Sequence, residues 1–149
     1  MDILNVKPPK IALICLLMAL MLHLVFPMRI VPRLVSLLLG VFSFGTGFFL
    51  TGWAWVLFQQ KETAVCPTEV PKVMVTWGPY RATRNPMYLG IVLILLGFSF
   101  LMGSLPGFVG PPAFFFVIDT IFVPHEEEIL EEAFGREYLD YKKRIRRWL

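Results

Sequence analysis

From Leu34 to Phe58 the chain runs 25 residues without one charged side chain. A hydrocarbon core about 30 Å thick is crossed by about 20 apolar residues in a helix, so this run reads as a transmembrane helix. Backbone polar groups in lipid must be paired within the protein, which leaves helices and closed barrels as spanning structures. Three more apolar runs, at about 11–28, 87–102 and 108–123, read as helices of the same kind. The last two are short, and the uncharged connector Gly103-Ser104-Leu105-Pro106-Gly107 predicts a tight helical hairpin. The expected fold class is all-α: an integral membrane protein of about four transmembrane helices, residues 1–149 forming one domain that ends in a cytoplasmic amphipathic helix.

Composition excludes the soluble alternatives. The chain is 56% apolar and 17% charged, with a mean hydropathy of +0.66; soluble domains average roughly 45–50% and 25%. A soluble domain of this size buries only about 68–70% of its surface, too little to hide such an excess. Cys15 in an apolar run and Cys66 in a polar stretch do not make a disulfide framework. No small-x-small cleavage site follows the first apolar run, so it is expected to be retained rather than removed as a signal peptide.

Lysine and arginine set the expected orientation. With four spans, the termini and the loop 59–85 share one side and hold 12 basic residues; the other side holds only Arg29 and Arg33. The termini and that loop are therefore assigned to the cytoplasm. Lys142, Lys143, Arg144, Arg146 and Arg147 read as a tail lying on anionic headgroups, not as a nucleic-acid site. Leu130, Phe134, Tyr138, Tyr141, Ile145 and Trp148 recur at helical spacing, with Glu132–Arg136 and Asp140–Arg144 as i,i+4 pairs. Gly135 weakens this helix by about 1 kcal/mol and is the place for a break.

Two motifs carry the chemistry. In Gly78-Pro79-Tyr80-Arg81-Ala82-Thr83-Arg84-Asn85-Pro86-Met87-Tyr88-Leu89-Gly90, Asn85 and Pro86 read as N-cap and first residue of a helix. Unpaired N–H groups and the positive dipole end make such a start favourable for an anion, and Arg81 and Arg84 precede it. In the second, His125-Glu126-Glu127-Glu128 leads an acidic run at the exit of the last apolar segment, and Glu126 and Glu127 lie nearest the bilayer. Asp119, an acid within a span and so a functional candidate, precedes Glu126 by seven residues, about two α-turns. S-adenosylmethionine is compatible with both motifs: its carboxylate suits the helix start, its cationic groups suit the glutamates, and Tyr80 and Tyr88 suit the adenine or sulfonium. The isolated histidines His23 and His125 do not make a metal-ligand set, so no metal is expected.

The pair of motifs, with Phe134-Gly135-Arg136-Glu137-Tyr138-Leu139-Asp140-Tyr141, resembles the isoprenylcysteine carboxyl methyltransferase family, relatives of the membrane phospholipid N-methyltransferases; the resemblance covers about Lys72 to Leu149. It implies an S-adenosylmethionine-dependent membrane methyltransferase without a Rossmann domain. It also implies a cofactor site from 72–90 and 125–141, with Lys72, Val73, Met74, Val75, Tyr80, Asn85, Pro86, Met87, Tyr88 and Glu126 as binding residues. Asn85 stands where that family usually has His, and Phe122 stands where the eukaryotic enzymes carry a substrate arginine. The expected acceptor is lipid-like. If it is a carboxylate it needs only orientation, for which Arg84 is the candidate; if it is an amine, Asp119, His125 or Glu127 would take its proton. The alternatives are a phospholipid or lipid-amine N-methyltransferase and, outside enzymes, a small four-helix transporter or structural membrane protein. An amphiphilic acceptor is expected to enter laterally, its tail among the last two spans with Phe114, Phe115 and Phe116.

Overall fold

The computed structural model describes residues 6–61 and 72–149; Cys66 and the loop residues around it lie outside them. Helix α1 (Pro8–Val25) begins on a proline, whose fixed φ and missing N–H suit a first turn. It ends just before Phe26-Pro27, because a residue preceding proline is disfavoured from helical conformation. Helix α2 (Arg33–Gln60) has 28 residues and α3 (Pro86–Met102) has 17. The last apolar run is one long helical stretch of changing pitch. A 3₁₀ turn (Leu105–Val109), α4 (Gly110–Val117), a π-helical turn (Ile118–Phe122) and α5 (Val123–Phe134) follow one another directly. Helix α6 (Arg136–Arg144) completes the order. Among the described residues there are no strands, only an isolated bridge between Arg29 and Ser104.

Three stretches are long and apolar enough to cross a membrane: Pro8–Val25, Arg33–Gln60 and Leu105–Phe134. Helix α3 rises only about 25 Å, short of a full core. Of the about four spans expected, three are long enough by themselves, and the third in chain order, expected to be short, is this shorter apolar helix. The stretch expected to end at 123 continues to Phe134.

Lipid tails are as apolar as leucine, so membrane helices associate by close approach and hydrogen bonding. Helices α2 and α3 meet in this way. A Cβ on Gly47 would lie 2.5 Å from the Gly90 carbonyl oxygen, and one on Gly90 would lie 2.1 Å from Thr51 Oγ1. Along the same seam Ser43 Oγ donates to the Leu93 carbonyl at 2.9 Å and Thr51 Oγ1 to that of Met87 at 3.4 Å; Ser36 donates to Phe100. The Ser43-x-x-x-Gly47 spacing is part of this seam, which fixes where α3 begins.

Fully buried Phe114, Ile118, Phe122 and Val123 pack against Ile11 and Cys15 of α1 and Tyr88 and Leu95 of α3. At the end of the bundle that holds Arg29, Ile30 N–H donates to the Gly103 carbonyl at 3.1 Å and Leu105 N–H to that of Met28 at 2.9 Å. His23 Nδ1 and Ser104 Oγ are 2.6 Å apart there. Gly103, at φ +65°, closes α3 in the left-handed conformation that glycine adopts without strain. The opposite end carries the two motifs.

Candidate functional site

Approaching α3, the 3₁₀ turn Gly78–Arg81 buries Tyr80, whose ring packs at a tilt on Phe58 of α2 with centroids 5.7 Å apart. Asn85 occupies the residue before α3, but its side chain does not cap the helix. Thr83 Oγ1 accepts from the Asn85 N–H at 3.2 Å instead. Asn85 Nδ2 donates to the Arg147 carbonyl at 3.0 Å, Thr83 Oγ1 donates to the same carbonyl at 2.9 Å, and the Arg84 N–H donates to the Arg146 carbonyl at 3.0 Å. The expected cap is thus corrected: the strap after α6 holds the motif from outside.

Gly135 has φ +52°, a left-handed value at which a side chain would be strained, and it turns the chain between α5 and α6. The break expected at Gly135 is present, and it separates Glu132 from Arg136, so that i,i+4 pair is not formed. Asp140 pairs with Lys143 at 3.5 Å, while Arg144 Nε donates to the Asp140 carbonyl at 3.3 Å. Tyr138 and Tyr141 of α6 are buried, and Tyr141 donates to the Tyr80 carbonyl at 2.8 Å. Burial pushes the hydroxyl pKa of both Tyr80 and Tyr141 well above the ordinary phenol range, so both stay neutral.

A cavity of about 650 Å³ lies between these parts, within the usual 300–1,000 Å³ of small-molecule sites. Val73, Met74, Val75, Tyr80, Arg84 and Asn85 line one side, and Met87 and Tyr88 continue it along α3. Glu126 and Glu127 close it from α5. Lys72, Pro86, Asp119 and His125 are not among the residues that line it. The apolar wall comes from Phe48, Thr51, Trp55 and Phe58 of α2 with Ile91 and Ile94 of α3. Phe114 is instead in the core, Phe115 packs on Trp148 and Phe116 is exposed on the outer surface, so none of the three expected to hold an acceptor tail lines the cavity.

The two adjacent glutamates diverge. Glu126 accepts from the Tyr88 hydroxyl across the cavity. Glu127 holds Arg84 at 3.0 Å, Arg147 through two hydrogen bonds of 3.0 and 3.1 Å, and Lys142 at 3.3 Å. Arg147 Nη1 also reaches Asp119 at 3.2 Å, and Trp148 Nε1 donates to the same carboxylate oxygen at 2.9 Å. Asp119 therefore shares a partner with Glu127, not a face with Glu126. The π-turn adds a residue to the helical repeat, so two turns advance from 119 to 127. Carboxylate partners raise the pKa of Arg147 and Lys142 and hold both charged. These two residues, expected on lipid headgroups, turn inward. Sequence reasoning missed Arg147 because the basic run gives no sign of which member folds back.

Arg84 is nine-tenths buried, donates to Tyr138 Oη at 3.3 Å, and keeps one buried donor, Nε, without a partner among the described residues. No three His, Cys, Asp or Glu side chains converge as a metal site among the described residues.

Fold and cavity together define a small helical membrane protein with a largely apolar cavity, carrying a few polar side chains, at one end of its bundle. The family model for phospholipid methyltransferase matches residues 35–137, and the chain belongs to that family. It is 41% identical over 63 residues to an uncharacterized protein of Haemophilus influenzae, covering 42% of this chain and 100% of that protein. It is 32% identical over 75 residues to Protein-S-isoprenylcysteine O-methyltransferase B of Arabidopsis thaliana, covering 48% of this chain and only 36% of that enzyme. No solved structure matches the chain.

Proposed function

We propose that the cavity binds S-adenosylmethionine and that the protein methylates the carboxylate of a membrane amphiphile. Membership of a methyltransferase family implies this donor, and the lining residues fit it. Glu126 offers a carboxylate to its cationic groups, Tyr80 and Tyr88 offer aromatic faces, and the volume suffices. When bound, it supplies a methyl carbon whose bond to sulfur breaks, the electron pair staying on sulfur, as the acceptor oxygen bonds to carbon. The protein's own part is to orient the acceptor in line and exclude water.

The observation that carries the carboxylate reading is Arg84. Its Nε is a buried, unpartnered donor on a residue of the cavity wall, suited to hold an ionised acceptor. An amine acceptor needs a base. Of the candidates, Asp119 and Glu127 are occupied by Arg147, and Asp119 and His125 do not line the cavity. The acceptor's tail would lie along Phe48, Trp55, Ile91 and Ile94, reached laterally from the bilayer. We place the site, both termini and the loop 59–85 on the cytoplasmic side, following the 12-to-2 distribution of basic residues.

The test is transfer from methyl-labelled S-adenosylmethionine to a total membrane lipid extract. The proposal expects label in an organic-soluble product that base releases as methanol. Label that resists base would establish N-methylation in its place.

A further inference from the structure

Two arginines flank Glu127, and only Arg84 lines the cavity. Arg147, on the strap after α6, covers both oxygens of Glu127 and reaches Asp119 with its remaining amino group. Its carbonyl accepts from Thr83 and Asn85, the residues on either side of Arg84. Side chain and backbone of one residue thus fix Arg84 from two directions: the guanidinium through Glu127, the backbone through its neighbours. Bidentate guanidinium–carboxylate geometry limits rotation as well as distance, so Glu127 presents one defined edge to Arg84.

We propose that Arg147 is a positioning residue, braced by Asp119 across the π-turn, that sets the direction of the free Arg84 Nε–H through Glu127. The proposal deepens the reading of Arg84 given above and rests on it for its functional meaning. Its physical content is independent of which acceptor is used. Arg147 is not itself a lining residue, so its side chain acts on the orientation of Arg84 through Glu127 and not by contact with a bound molecule.

The test is ¹⁵N-arginine NMR of the full chain in detergent micelles, without ligand, reading hydrogen exchange at Arg84 Nε. The signal is assigned by its loss in Arg84→Lys. Arg147→Gln should accelerate this exchange severalfold, because Arg84 Nε is shielded by burial and not by a hydrogen bond, and a loosened Glu127 lets it reach water more often. Arg147→Lys, which keeps the charge but not the fork, should give an intermediate rate. Asp119→Asn, which leaves the Glu127 contacts intact, should give a smaller acceleration in the same direction and supplies the test if Arg147→Gln does not fold. The Arg33 signal, at the other end of the bundle, should not move. Exchange at Arg84 unchanged in Arg147→Gln and Asp119→Asn, or accelerated equally at Arg33, would overturn the proposal. Failure of the carboxylate reading would show instead as base-stable product with these exchange rates as predicted.

Discussion

The Tyr88 hydroxyl donates to a carboxylate oxygen of Glu126, joining the first turn of α3 to α5 across the cavity. The α2–α3 seam determines where Tyr88 stands, and the run from Gly110 to Phe134 determines where Glu126 stands. The geometry of the cavity therefore depends on packing well away from it.

Removing the hydroxyl tests this dependence. Tyr88→Phe keeps the ring and deletes the hydrogen bond to Glu126, worth about 0.5–1.5 kcal/mol. The unfolding temperature should fall, and affinity for S-adenosylmethionine should fall with it by up to about tenfold as Glu126 loses its orientation. Unaltered affinity would separate Glu126 orientation from binding.

Glu127 should behave differently from its neighbour. It balances Arg84, nine-tenths buried, and the partly exposed Arg147 and Lys142, so Glu127→Ala leaves one buried cation uncompensated, at a cost of about 3 kcal/mol. The expected result is a large fall in unfolding temperature without ligand. A variant that is fully stable but inactive would make Glu127 a catalytic base.

The seam itself predicts a steric contrast. Gly90→Ala places a Cβ 2.1 Å from Thr51 Oγ1 and 2.7 Å from the Gly47 carbonyl oxygen, and overpacking of this kind costs about 1–3 kcal/mol. Gly45→Ala, with nothing within 4 Å, should be neutral or slightly stabilising. Detergent-phase thermal unfolding of both variants gives the answer; equal shifts would contradict the seam.

Much of this was legible in the sequence. Hydropathy gave the apolar helices, the Ser43–Gly47 spacing gave a packing face, and the two motifs gave seven of the expected residues that line the cavity, with Val73, Met74 and Val75 added by the family resemblance. What sequence reasoning misplaced has physical causes. Counting 3.6 residues per turn puts Asp119 with Glu126, and only an unannounced π-turn pairs it with Glu127. Asn85 looks like a cap because its neighbours are those of a helix start, yet a carbonyl from a strap more than 60 residues later takes its amide. The α2 wall was invisible because aromatics facing a ligand and aromatics facing lipid have the same composition.

The central claim is that this cavity binds S-adenosylmethionine through Glu126, and calorimetric titration of the purified protein with the cofactor tests it most directly. One site per chain is predicted, weakened in Glu126→Gln by about tenfold or more. It should be nearly unchanged in Glu131→Gln, whose pair with Lys142 is partly exposed at 2.5 Å. No binding by the folded wild-type protein, or equal losses in the two variants, would contradict the account.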